Sequence, residues 1–324
     1  MKRVLGFCMA LFLVWGCDQK SKIEKEIEAI PVKTKLVRFE QSFFTTPPNE
    51  LAKVKAQFPE FFPADVPDSV WVNKITNKDW QALYQAVEAK YKDFSTEQTE
   101  IEDIFKHVKY YFPNVKEPQI YTFIGDMDNT LKAVYNPQQS KLFVSLEMYL
   151  GKNHPFYSGI AKYIRDNFEK RQMMPDVVAA IGFSVIPHSK QPDFISMMID
   201  SGKELYLKDL LIPDYTDAEK IGYTPEQLKF CQENEAYVWE NFVENKYLYS
   251  TDPKLANRFV NLAPFSKFYL EIDNETPGRI GQWVGWQIIR SFIENNEKVT
   301  PKELLAMDAH RIFEGSKYKP KKNE

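Results

Sequence analysis

The chain is 324 residues long, 44% hydrophobic and 27% charged, an ordinary globular composition with enough apolar side chains for one large core or two small ones. Its formal charge of −3 becomes more negative still if Lys2 and Arg3 are removed from the N-terminus, which argues against nucleic acid as a partner.

Residues 1–16 have the order of an export signal: Lys2 and Arg3 make a positive start, Val4 to Val14 an apolar run, and Gly16 places a small residue before Cys17. The run falls short of the roughly 20 apolar residues that a membrane-spanning helix needs. Val14-Trp15-Gly16-Cys17 resembles the bacterial lipoprotein box, although the position of Trp15 usually holds a smaller residue. The resemblance implies cleavage before Cys17 and acylation of its thiol and new amino group, which together anchor far better than one chain. The alternative is an ordinary signal peptide followed by an incidental cysteine. Cys8 leaves with the signal and Cys17 carries lipid, so only Cys231 remains and no intrachain disulfide is expected.

Residues 17–31 read as the lipidated cysteine and a flexible tether, because "DQKSKIEKEIEAIP" mixes charges without an apolar stripe and ends at proline. Residues 32–324 read as a single globular domain, with the basic end from Lys317 to Lys322 as a solvated tail. "KLVRFEQSFF" (35–44) alternates like a strand, and Pro47-Pro48 opens an irregular, proline-rich passage to Pro67. Helices are predicted from Asn77 to Tyr91 and from Ser95 to Phe112, with Trp80, Leu83, Tyr84 and Val87, then Ile101, Ile104, Phe105 and Val108, facing inward. Three short strands follow, Ile120–Ile124, Leu131–Tyr135 and Lys141–Leu146, with turn chemistry at Asn136-Pro137.

From His154 onward the pattern is helical. Three helix starts share threonine as the cap and proline at the first position: Thr224-Pro225, Thr276-Pro277 and Thr300-Pro301. In the first and third, Gln227 or Glu303 closes a capping box. The fold class is therefore α+β, helix-dominated, with a small antiparallel sheet.

Catalytic signatures are sparse. His107, His154, His188 and His310 are nowhere four apart, so a zinc helix of the His-Glu-x-x-His kind is missing, as are Gly-x-Ser-x-Gly and a glycine-rich phosphate loop. Asp126 and Asp128 in "GDMDNT" lack the later ligands of a calcium loop and read as a β-turn. Glu235 falls within the apolar stripe Leu228, Cys231, Val238 and Phe242, so it is expected to be an internal ion-pair partner of Arg279 or Arg290, or else a site carboxylate. Gly281 and Gly285, beside Trp283 and Trp286, cost a helix roughly 1 kcal/mol each against alanine. Close approach of another backbone is the expected reason, within the domain or in a partner-docking groove. No cofactor, metal or small-molecule ligand is indicated.

Several stretches together resemble the gliding-motility lipoprotein family GldB of Bacteroidetes: the box at Cys17, "LFVSLEMYLG" (142–151), "MMPDVVA" (173–179), "MIDSGKELYLKDLLIP" (198–213), "NEAYVWENFVENKYLYSTD" (234–252), "APFSK" (263–267) and "PGRIGQWVGWQIIRSF" (277–292). That family in turn resembles a group of predicted zinc peptidases. The peptidase segments would fall at "PDVVAAIGFSVI" (175–186), "SGKELY" (201–206) and "GQWVGW" (281–286), but the first carries no histidine and Ser201 stands where a glutamate would be expected.

The resemblance thus implies a peptidase-like scaffold without metal ligands, with a sheet edge beside a cleft able to take an extended chain. It implies a non-enzymatic, lipid-anchored factor on the periplasmic face of the membrane, where Asp18 favours the inner one. There it would bind other proteins of the gliding apparatus and the associated secretion machinery. The alternative is a divergent hydrolase using Glu235 with Asp200 or His188.

Overall fold

A computed structural model describes residues 21–187 and 191–320; the expected signal sequence (1–16), Cys17 and His188 lie outside the described residues. The order begins α1 (Lys22–Glu28), β1 (Lys35–Arg38), α2 (Phe39–Phe44), α3 (Leu51–Gln57), α4 (Asp68–Thr76), α5 (Lys78–Tyr91) and α6 (Ser95–Tyr111). The sheet is completed by β2 (Gln119–Phe123), β3 (Ala133–Asn136) and β4 (Lys141–Ser145). Helices follow: α7 (Lys162–Arg165), α8 (Met173–Val185), α9 (Phe194–Leu211), α10 (Asp217–Ile221), α11 (Pro225–Glu233), α12 (Glu235–Glu244), α13 (Lys254–Phe259), α14 (Ile280–Asn295), α15 (Pro301–Ala306) and α16 (Ala309–Ser316).

The fold is α+β and helix-dominated, as expected, but the sheet is mixed rather than antiparallel. Its order is β1-β2-β4-β3; β1 is parallel to β2 and β2 to β4, and only β3 runs antiparallel to β4. The physical reason is connection length. Asn136 accepts from the Gln139 amide at 3.0 Å and closes the short turn that makes β3 and β4 a hairpin. The helices from α2 to α6 form the long crossover that parallel pairing of β1 and β2 demands. Phe61 packs its ring against Tyr121, Phe123 and Phe143 on one face of the sheet, and Phe105 of α6 meets Tyr135 on the other.

Three local expectations change. First, the tether is structured from Ser21: a capping box between Ser21 and Glu24 starts α1, and Ile27, 3% exposed, docks this helix on α6. Thr34 then bonds Glu102 through both its amide and its hydroxyl. Second, the strand from Lys35 ends at Arg38, because Phe39, Phe43 and Phe44 are buried at helical spacing and begin the aromatic core. Third, Tyr318 in the basic tail is docked, its ring 5.2 Å from that of Trp239.

Of the three threonine-proline starts, Thr224 and Thr300 form complete capping boxes. Thr276 does not cap a helix. Its hydroxyl donates to the carbonyls of Ser266 and Asp273, and α14 begins after Arg279, which is left-handed at φ 63. Here Ser266 supplies the cap, accepting from the Ile280 amide at 3.2 Å. The helix expected from Pro225 breaks at Asn234 into α11 and α12, yet Cys231, Glu235, Val238 and Phe242 all remain buried.

Candidate functional site

The close approach expected at the glycines of α14 occurs inside the domain. Gly285 faces Gly202 of α9, and a methyl group on either would collide with the other helix's backbone. With the helices this close, the residues beside the contact are brought to a shared surface. Gln282 donates to the Ser201 carbonyl at 3.2 Å, and both line a cavity of about 250 Å³ together with Gly182 and Phe183 of α8, Asp200, Glu204 and Asn261. Phe183 stands at this cavity and is 79% exposed, the most exposed of the chain's large hydrophobic side chains among the described residues.

The polar groups of the small cavity already have partners. The Ser201 hydroxyl donates to the Met197 carbonyl at 2.9 Å. Asp200 pairs with Lys203, whose ammonium also reaches the Met307 carbonyl, and Glu204 pairs with Lys208 at 2.8 Å. Burial works against the charged form of Glu204, but the cations Lys208, Arg279 and Lys132 outweigh it and hold the carboxyl below its ordinary range.

Gln282 of this cavity meets Arg279, which lines a larger groove of about 640 Å³ with Arg171 and Gln172, Glu219, Tyr223 and Leu262 to Pro264. Arg279 donates to the Ile221 carbonyl at 2.7 Å and reaches the Gln282 side-chain oxygen at 3.5 Å. Thus "MMPDVVA", "SGKELY", "APFSK" and "PGRIGQW", scattered over more than a hundred residues, supply or adjoin one two-chambered cleft.

Glu235 is buried, as its place in the apolar stripe indicated, but it is no partner of either arginine. It accepts from the Tyr318 hydroxyl at 2.7 Å, while Arg290 is held by Asp209 and Asp217. Glu235 lines neither chamber, so the structure does not unite it with Asp200. The described histidines also stand apart: His310 pairs with Asp193 at 3.0 Å, His154 accepts from the Phe156 amide, and His107 lines a separate hollow between α6 and the end of α9. Asp128 caps its own turn by accepting from Thr130, which agrees with the β-turn reading of "GDMDNT". Among the described residues no group of three or more His, Cys, Asp or Glu side chains is placed to hold a metal ion.

Several buried carboxylates escaped the sequence reading, among them Glu40, Glu97 and Glu147, and the last has the most apolar neighbours in sequence. Glu147, within the apolar run 142–150, is fully buried. It accepts from the Gly125 amide at 2.9 Å and the Ser145 hydroxyl at 2.7 Å, while its second oxygen has no partner. The signal was available: a lone glutamate among leucine, valine, methionine and tyrosine. Burial raises its pKa from 4.5 to about 7, against the opposing bonds from Ser145 and Gly125. In the folded state it therefore keeps a proton that the unfolded chain releases above about pH 4.5, so its stabilising contribution is lost as pH rises from there through 7. The span is worth on the order of 3 kcal/mol. Glu147→Gln is expected to flatten that slope; melting temperatures of both proteins at pH 5 and pH 8 would show it, and parallel pH profiles would refute it.

The fold and cleft define a helix-dominated α+β scaffold whose polar surface cleft is built at the contact of two closely packed helices. Among its described residues no helix is long and apolar enough to cross a membrane. The chain belongs to the gliding motility protein GldB family, whose model matches residues 20–320. Membership makes it a gliding motility protein of lipoprotein type. No curated protein and no solved structure matches the chain.

Proposed function

We propose that the protein is a non-catalytic binding component of the gliding apparatus and its associated secretion machinery. Lipid on Cys17 holds it on the periplasmic face of the membrane, the inner one, and the two-chambered cleft receives another envelope protein. The observation that carries this reading is the state of the cleft that aligns with the zinc-peptidase segments: Asp200 and Glu204 are ion-paired to Lys203 and Lys208, and Ser201 is bonded to its own helix. Groups so committed are poorly placed to activate water, whereas Phe183 offers an apolar handle of the kind that interfaces bury. Strand addition at the β3 edge of the sheet is less favoured, because α8 packs directly on that strand.

Chromosomal substitutions test the proposal. Asp200→Asn, Ser201→Ala and Glu204→Gln should glide like wild type, whereas Phe183→Ser, a change on an exposed side chain, should abolish spreading at normal protein level. Loss of gliding in one of the first three, with the protein present at normal level, would return a hydrolase to first place. Cys17→Ser should lose acyl labelling and leave the membrane fraction; continued labelling would refute the anchor.

A further inference from the structure

We propose that the larger chamber is a carboxylate-binding site anchored by Arg279, and that its ligand is a peptide segment presenting a C-terminal carboxylate or an acidic side chain. This rests on the binding role assigned to the cleft. Arg279 is partly buried in the wall of the groove, and both hydrogen-bond partners of its guanidinium are neutral: the Ile221 carbonyl and the Gln282 amide oxygen. The Tyr223 ring lies 5.6 Å from the guanidinium carbon. Other cations of the same groove are neutralised in place, Lys162 by Asp166 and Arg171 by Glu219. Glu204, in the smaller cavity, feels the field of Arg279 but is bonded to Lys208. Lys152 stands at the exposed rim.

A guanidinium bonded only to neutral acceptors retains its affinity for a carboxylate, which its planar fork can meet with two parallel hydrogen bonds. The position adds to this. Arg279 precedes the first turn of the 16-residue α14, where the helix dipole also favours a negative group.

The charge of the surroundings selects among anions. Asp166 and Glu219 are spent on Lys162 and Arg171, but Glu169 and Glu226 line the same groove and oppose a phosphate dianion or a nucleic acid more strongly than a single carboxylate on an otherwise neutral or cationic chain. The volume, about 640 Å³, is within the range of ligand sites. Tyr223, Leu262, Ala263 and Pro264 give apolar lining for the residues that flank the carboxylate.

Calorimetric titration of the full-length lipoprotein in detergent tests this with three N-acetylated peptides of one base sequence: one with a free C-terminus, one amidated, and one amidated with an internal glutamate. One or both carboxylate-bearing peptides should bind at least tenfold more tightly than the plain amide, and which of them does so names the source. Equal binding of all three, or of none, overturns the proposal without recourse to any variant. Arg279→Gly removes the guanidinium while glycine accepts the left-handed backbone freely, which offsets part of the lost bond to Ile221, so the preference should vanish while a cooperative melt is kept. A preference retained in that variant overturns the assignment to Arg279. Loss of gliding in Phe183→Ser alongside unimpaired gliding in Arg279→Gly would reject the carboxylate anchor and leave the broader binding role standing.

Discussion

Gly285→Ala should leave little folded protein. A methyl group there would lie 1.8 Å from the Met198 carbonyl oxygen and 2.3 Å from its carbon. Both are backbone atoms of α9, so no rotamer change relieves the clash and α9 and α14 must separate. Overpacking that side chains can absorb costs about 1–3 kcal/mol; forcing backbones apart at the centre of the domain should exceed about 4 kcal/mol, a size reserved for a few such mechanisms. Gly281 is the internal comparison. Its methyl would meet the Phe259 carbonyl at 3.0 Å and the flexible Met198 side chain at 3.3 Å, and alanine returns roughly 1 kcal/mol of helix propensity, so Gly281→Ala should be mild. Thermal melts of the two variants decide the matter. Equal melting temperatures would mean that α9 and α14 are not held as closely as described.

The second large effect is expected at Asp209 of α9. Its carboxylate accepts from Arg290 through two nitrogens, at 2.9 and 3.0 Å, from the Trp286 indole at 2.8 Å and from Lys220 at 3.0 Å. Asp217 also binds Arg290, so removing Asp209 leaves the arginine with a partner. Lys220, buried, would keep none of its bond to Asp209, and the indole N–H would be unpaired. Breaking a buried pair from one side costs about 3–5 kcal/mol, because the remaining charge stays desolvated. Asp209→Ala should therefore lower the melting temperature by roughly 10 °C. The double change Asp209→Ala with Lys220→Met should recover part of that loss; failure to recover any would place the cost elsewhere than in the stranded lysine.

What could be read locally was read well. The capping boxes at Thr224 and Thr300, the α5 and α6 helices and the three strands of the middle region each rest on neighbours within a few residues, and the structure reproduces them. Errors arose where the deciding partner is distant. Thr276 carries the same threonine-proline signature as the others, but Ser266 and Asp273 capture its hydroxyl. The acidic and basic mixture of residues 22–28 looked like a tether because only one apolar side chain, Ile27, seats the helix on α6. The burial of Glu235 was legible from the stripe around it, whereas its partner lay in a tail too basic to suggest Tyr318.

By itself, the sequence determined the helix-dominated class, the glycine pair awaiting a close neighbour and the family resemblance, because each is written in spacings of a few residues or in the order of segments. Only the tertiary structure decided that the sheet is mixed, that Gly202 is the neighbour of Gly285, that Asp200, Ser201 and Gln282 line one cavity, and that Gln282 there meets Arg279 of a larger groove. Strand direction depends on how a long crossover returns, and a cleft depends on which helices touch. Both are settled by packing free energy summed over residues far apart in the chain, which no local pattern contains.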